Sequence, residues 1–466
     1  MASQKRDLTQ GSVRKQLLLF AMPFLLTNML QTMYNLADTW ILSQFIGKFA
    51  VSAANSGGQV LNVAINIIIG LAVGGTVVIG QLSGSKDADG IRRTVGTFLT
   101  LMSFVGLVFT VVFAANARRF LIMINTPPQV LDDAVDFLLI YCVGVIFMFG
   151  NNAVAAVCRG VGDSKAPLMF MIASSALNVI LDLLAIFVMG WRDIRVTAWT
   201  TVIAIVFSFI LSVGYLLQQR DLFRLSLRTF KPDWALLWRV LKVGVPSAVQ
   251  SSIFGMSVLL VTALINKYGV DASAAAGLGS RVDSVILMPL NALSAATSAM
   301  IAQNLGARKV DRVRSTLKNA LLFGYIFAFA AFAAAQTVPQ FFFGFLTSDP
   351  ESIAIGALYL RWASYNYLLV TGLSMFNAVA IGSGNTVYPL CATIMNGFVF
   401  RVPIAVFFEQ VLGFGLAGVF MGLGFANIGG IIAGFIYYRL GYWARPKKTP
   451  VSEEQLAALA DTGGEM

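Results

Sequence analysis

The chain has no histidine, only three cysteines and little charge: 12% of its 466 residues are Asp, Glu, Lys or Arg. Each shortage excludes a class of function. Cys142, Cys158 and Cys391 are scattered in or beside apolar stretches. With no histidine to join them, no zinc- or haem-ligand spacing exists, and they read as structural. No matched Ser/Lys or Glu constellation supplies a nucleophile and base, so an intramembrane enzyme is not expected. A soluble protein of this length carries about twice this share of charge. Hydrophobic residues take the place of charge, making up 57% of the chain at a mean hydropathy of +0.77.

The apolar residues come in blocks of roughly 20 to 30, long enough to cross a ~30 Å hydrocarbon core as helices. We predict an all-α polytopic membrane protein with twelve spans, at 16–46, 54–83, 91–116, 131–158, 166–190, 194–218, 235–267, 275–304, 312–338, 352–380, 387–411 and 415–441. Turn-forming segments such as "GSKDADG", "NTPPQV", "RGVGDSK" and "GSGNT" separate them. Residues 1–15 are polar and run straight into a full span, which does not fit a cleavable signal peptide. Of the 33 Lys and Arg, twenty-four fall on the side of the termini, seven on the other, and Arg281 and Arg401 within spans. That bias predicts a multi-pass plasma-membrane protein with both termini cytoplasmic. The net charge of +11 is then a property of inner loops, and no nucleic-acid partner is expected. In the tail at 442–466, Ser452 and Gln455 have capping-box spacing ahead of an Ala/Leu run, which predicts a short helix.

The two halves repeat at an offset near 222 residues. "GQLSG" (80–84) falls on "AQNLG" (302–306), and "RGVGDSKAPL" (159–168) on "IGSGNTVYPL" (381–390). Gln81 thereby aligns with Gln303, Gly84 with Gly306 and Gly160 with Gly382. A constant offset held over several landmarks indicates duplication. We predict two pseudo-symmetric six-helix lobes, 16–218 and 235–441, joined by a basic linker at 219–234. Repeats inserted the same way up predict a substrate site between lobes that rock to give alternating access.

These residues resemble the multidrug and toxic compound extrusion (MATE) family. The carriers are "AMPFLLTNMLQTMYNLADTWILSQFIG", "GGTVVIGQLSG", "RGVGDSKAPL", "NVILDLL", "SAMIAQNLGAR" and "IGSGNTVYP", in this order along nearly the whole chain. The resemblance implies export of organic, often cationic, compounds in exchange for H⁺ or Na⁺, with no cofactor. Partners are then small organic substrates and membrane lipid, and a monomer is expected. One branch of the family uses acidic residues on spans 7 and 10. Here span 7 has no acid and span 10 none past its start. The first lobe instead has Asp38 on span 1 and Asp182 on span 5, similar to the DinF-like branch.

A carboxylate in hydrocarbon is costly, by roughly 3 kcal/mol on insertion scales, so intramembrane acids are functional candidates by default. Depth places the two in one layer, and that their helices adjoin is what the resemblance implies. Asp38 lies nine residues before Gly47 and Asp182 eight before Gly190, roughly 14 and 12 Å below the outer turns. Thr201, on the returning span 6, falls in the same layer, and Asn178 shares a helix face with Asp182. Asp38, Asn178, Asp182 and Thr201 thus offer an oxygen cluster able to bind Na⁺ or hold a proton. Pro23, fifteen residues before Asp38, interrupts the helix ladder and permits a bend. The resemblance gives it a hinge role in coupling.

Gln31, Asn35 and Asn66 are cavity candidates. Arg281 and Asp283, two apart on span 8, do not face each other, so each needs another partner, and Arg281 is read as an ion-pair or gating residue. "RGVGDS" lacks the Gly-Lys-Ser/Thr ending of a phosphate loop and reads as a tight turn. Asp193 and Val196 stand where the second half has Gly415 and Gly418, so altered packing is expected at the start of span 6. The runner-up reading is a flippase for lipid-linked precursors, which needs a basic central cavity.

Overall fold

The computed structural model describes residues 7–191, 193–219, 223, 231–344, 346–347 and 349–444. Most of the linker and the helix expected at Ser452 lie outside the described residues. Among the described residues, all regular structure is helical. The first half contains α1 (Val13–Ile41), α2 (Lys48–Gly84), α3 (Ala88–Met123), α4 (Leu131–Gly160), α5 (Lys165–Leu183) and α6 (Ile194–Gln218). The second contains α7 (Trp234–Asn266), α8 (Val270–Gly306), α9 (Val310–Thr337) and the short α10 (Pro339–Gly344). There follow α11 (Pro350–Ala363), α12 (Tyr365–Gly382), α13 (Val387–Ile394), α14 (Val402–Val406), α15 (Gly415–Phe425) and α16 (Ile428–Arg439). Ten helices are long and apolar enough to cross a membrane. The 30-residue α4, and α11 with α12 across a break at Ser364, make up the other two predicted spans.

The duplication is written into the backbone. Left-handed φ values occur at Gly47 and Gly269, at Lys86 and Arg308, and at Gly162 and Gly384, each pair at the sequence offset. Lys86 and Arg308 are the more telling pair, since a side chain at positive φ is uncommon and here recurs in the same turn of both halves. Packing repeats too. α2, α3 and α4 pack together as α8, α9 and α12 do, and α1 lies on α5 as α7 lies on α13.

The lobes meet through α2 against α7 and α1 against α8. At the end that carries both termini the contact is reciprocal. Gln81 Nε2 donates to the Gly382 carbonyl at 3.1 Å, and Gln303 Nε2 to the Gly160 carbonyl at 2.8 Å. A Cβ on Gly84 would sit 1.9 Å from the Gln303 carbonyl oxygen, and one on Gly306 1.9 Å from that of Gln81. Only glycine lets the two helices pass this closely.

Two sequence expectations are modified. The start of α6 solves the loss of glycine by capping: Asp193 is extended, and its carboxylate accepts from Arg195 N–H at 2.9 Å. The polar N-terminal segment is not a free tail. Leu8 is fully buried, Lys309 Nζ donates to Thr9 O at 2.8 Å, and Arg312 donates to the carbonyls of Leu8, Gln10 and Gly11 at 3.1, 3.0 and 2.8 Å. Residues 7–12 are thereby fastened to the second lobe.

Candidate functional site

α1 packs on α5, which brings the two intramembrane aspartates onto adjoining helices. Each helix ends the same way. Four residues past Asp38, α1 opens into a π-helical turn, Leu42–Ile46; two residues past Asp182, α5 opens into another, Leu184–Val188. The turns touch through Phe45 and Phe187, edge to face at 5.0 Å between centroids. Single π turns loosen the regular ladder and recur beside functional positions.

Asp182 is 1% exposed and well partnered. It accepts a short hydrogen bond from Thr200 Oγ1. With its amide oriented to satisfy both ends, Asn178 Nδ2 donates to Asp182 Oδ2 at 3.0 Å while its oxygen accepts from Thr201 N–H at 3.1 Å. Thr201 itself gives its hydroxyl proton to Thr197 O at 2.9 Å. Thr201 therefore belongs to the cluster at one remove, and the threonine touching the carboxylate is its neighbour Thr200, which depth counting missed.

Asp38 lies within electrostatic reach of Asp182, with Tyr34 and Tyr141 close by. Its Oδ1 is buried and has no hydrogen-bond partner among the described residues. The hydroxyl of the neighbouring Thr39 does not serve it, since it donates to Asn35 O at 2.8 Å. A buried acceptor with no donor is rare in folded proteins and calls for an explanation.

Beside the cluster is a cavity of about 670 Å³, reached from both lobes: Asn178 and Thr201 lie on one wall and Asn291 and Ser294 of α8 on another. Gln31 and Asn35 line it as predicted; Asn66 does not. Helical dihedrals run through Pro23 without a break, and its carbonyl accepts from Thr27 Oγ1 at 2.7 Å. The interruption expected at Pro23 is absorbed within a continuous helix. Arg159, counted with an inner loop from sequence, instead sits partly buried in the last turn of α4 and lines the cavity.

The second lobe has its own buried polar group. Asp283 accepts from Tyr359 OH at 2.6 Å and Tyr367 OH at 2.5 Å, the partners its sequence position required. Arg401 donates to Ser257 Oγ at 2.7 Å and lies over the Phe254 ring. Glu409 accepts from Tyr268 OH at 3.0 Å. Arg281, expected in an ion pair, is exposed and has no acidic partner among the described residues. The α8 turn sends Asp283 inward to the tyrosines and leaves Arg281 outside. Also among the described residues, no group of three or more His, Cys, Asp or Glu side chains could hold a metal ion.

Long apolar helices in two similarly packed halves, with a cavity lined by both, define a polytopic membrane protein of transporter architecture. Residues 23–184 and 246–407 each match the MatE family profile, the second stretch starting 223 residues after the first. The chain belongs to this family of membrane transporters. It is similar to the probable multidrug resistance protein YpnP of Bacillus subtilis, 27% identical over 95% of this chain and 98% of that one. A second Bacillus subtilis relative, the probable multidrug resistance protein YoeA, is 26% identical over 96% and 98%. The fold matches a crystal structure of a MATE protein in a bent conformation at a TM-score of 0.89, with 22% identity and 99% of each chain covered.

Proposed function

We propose that this protein is a secondary active exporter of multiple small organic compounds, driven by an inward H⁺ or Na⁺ gradient. It acts as a monomer in the plasma membrane with both termini cytoplasmic, and it makes and breaks no bond in its substrates. The coupling ion binds at Asp38 and Asp182, with Asn178, Thr200 and Thr201 as supporting oxygens and Pro23 as the flexible point of α1. The observation that carries this reading is Asp38 Oδ1, a buried carboxylate oxygen without a donor beside a second buried carboxylate. A proton or Na⁺ at that oxygen relieves both the missing bond and the charge.

Occupancy then biases the lobes. An ion that binds one facing more tightly than the other shifts the equilibrium by its differential affinity, and a substrate with the opposite preference is exchanged for it. Substrate and ion need share no atom. The duplicated architecture supports this better than a passive channel, because two rigid lobes about one site suit alternating access. The flippase reading is weaker, since a pyrophosphate-bearing lipid requires several basic groups in the cavity wall.

The test is transport in proteoliposomes of the full chain under imposed H⁺ or Na⁺ gradients. Asp38→Asn is expected to reduce gradient-driven efflux at least ten-fold at unchanged expression and thermal stability. Efflux at the wild-type rate from that variant sinks the coupling role, and dependence on one gradient alone assigns the ion.

A further inference from the structure

Among the residues lining the 670 Å³ cavity, Arg159 carries the only formal charge. Asp38 and Asp182 lie behind the wall and not on it. A cavity whose single charge is positive is poorly suited to an organic cation, which would meet like-charge repulsion in a low-dielectric space.

Among the described residues nothing neutralises this arginine. Its guanidinium, with five N–H donors and no accessible neutral form, has no hydrogen bond or ion pair among the described residues. Its only specific neighbour is the Phe24 ring, 5.9 Å from Cζ to centroid. Asp163, four residues on, is committed elsewhere: it accepts from Lys165 N at 3.0 Å, Ala166 N at 3.1 Å and the Tyr215 hydroxyl. A cation in the last turn of a helix is ordinarily served by the terminal carbonyls, but Arg159 donates to none of those of α4, which accept from other groups. Val157, Cys158 and Arg159 accept from Val161, Asp163 and Gly162 N–H, and Gly160 accepts from Gln303. A partly buried charge without a partner is destabilising, and a ligand oxyanion held by the planar fork removes that cost.

The rest of the wall fits such a ligand. Phe24, beside Arg159, and Phe170 are the aromatic side chains that line the cavity toward this end of α4. Asn151 presents a buried Oδ1 that lacks a donor, so an N–H or O–H on the ligand completes it. The volume suits a compound of drug size.

We propose that this cavity takes a flat aromatic compound bearing a carboxylate or phosphate, and that Arg159 is the residue that selects the anion. This rests on the exporter reading for its biological use but not for its chemistry. It departs from the organic cations implied by family resemblance, because the charge on the wall has the opposite sign to the one they require.

The experiment compares two dyes with the same xanthene frame and opposite charge, fluorescein and rhodamine 123, by fluorescence anisotropy on the detergent-purified full chain. Wild type is expected to bind fluorescein at least ten-fold more tightly than rhodamine 123. Arg159→Gln is expected to weaken fluorescein at least ten-fold while leaving rhodamine 123 unchanged or tighter, and Arg159→Lys to keep part of the preference. A wild type that prefers rhodamine 123, or binds neither dye, overturns the proposal. So does Arg159→Gln weakening both dyes equally, which marks a structural role. If Arg159→Gln fails gel filtration, the wild-type preference and the lysine variant decide. Transport separates the two readings: fluorescein bound but not moved under either gradient sinks the exporter alone, and rhodamine 123 moved with fluorescein unbound sinks the anion site alone.

Discussion

At the scale of single residues the candidate site divides into a satisfied carboxylate and an unsatisfied one. Asp182 is held by Thr200 and Asn178, whereas Asp38 keeps an open oxygen. This asymmetry suits one aspartate to positioning and the other to exchange. Thr200→Val removes a donor to a buried carboxylate at nearly constant volume and is expected to cost about 1–3 kcal/mol of stability and to slow gradient-driven transport. Thr201→Val, one step from the carboxylate, should do less of both. Thermal unfolding and proteoliposome transport check the order, and a larger loss from Thr201→Val contradicts the geometry. Depth along a helix was legible in the sequence because rise per residue is fixed. Azimuth was not: successive residues point about 100° apart, and which threonine of "WTT" faces α5 depends on how α6 is rotated by its neighbours. The partners of Asp283 were hidden for a related reason, since Tyr359 and Tyr367 lie more than seventy residues away on α11 and α12.

At the scale of elements, every predicted span is helical, though three of them (352–380, 387–411 and 415–441) are divided among successive helices, and several helix ends did not follow prediction. α2 runs from Lys48, six residues before the expected start; α3 kinks at Asn116, the expected end of its span, and a further helical stretch continues to Met123. Hydropathy locates the hydrocarbon core, but helices continue past it where backbone hydrogen bonds are still available. The π turns after Asp38 and Asp182 leave no mark in composition at all. The polar residues of the N-terminal segment say nothing of the receptor that α8 and α9 provide. Its docking carries a pH prediction. Burial acts to raise the Asp7 carboxyl, but the hydroxyl and N–H of Thr9, the Gln10 amide and the charge of Lys309 outweigh it and hold it below the usual carboxylate range. A depressed folded-state value means the contribution is fully present above about pH 4 and is lost as pH falls through the lower value. Protection of the amides at residues 8–12, taken relative to the intrinsic exchange rate at each pH, should fall on acidification and, at neutral pH, in Arg312→Ala. Protection indifferent to both rules out a docked segment.

At the scale of the whole molecule, the duplication visible as a 222-residue offset is also the rule by which the lobes close. Gln81 and Gln303 each reach a glycine carbonyl of the other lobe, and Gly84 and Gly306 each accommodate the other lobe's backbone. A methyl at either glycine is incompatible with this arrangement, so Gly84→Ala and Gly306→Ala are each expected to separate the lobes at the terminal end. The readout is cross-linking of paired cysteines placed across the contact, which should fall at least several-fold in either variant, with transport falling alongside. Retained cross-linking in both would mean that the helices tolerate what the geometry forbids.

That contact has one further consequence, and it concerns ancestry. Two surfaces that offer each other the same glutamine and the same glycine form an isologous interface, the kind found between identical subunits of a two-fold dimer. A six-helix unit has both ends on one side of the membrane, so two copies insert the same way up and meet through this patch without any redesign. The present chain has kept the symmetric seam while its polar chemistry has drifted apart, with paired aspartates in one half and tyrosine-bound Asp283 in the other. The seam is thus the part of the molecule in which the two halves remain interchangeable.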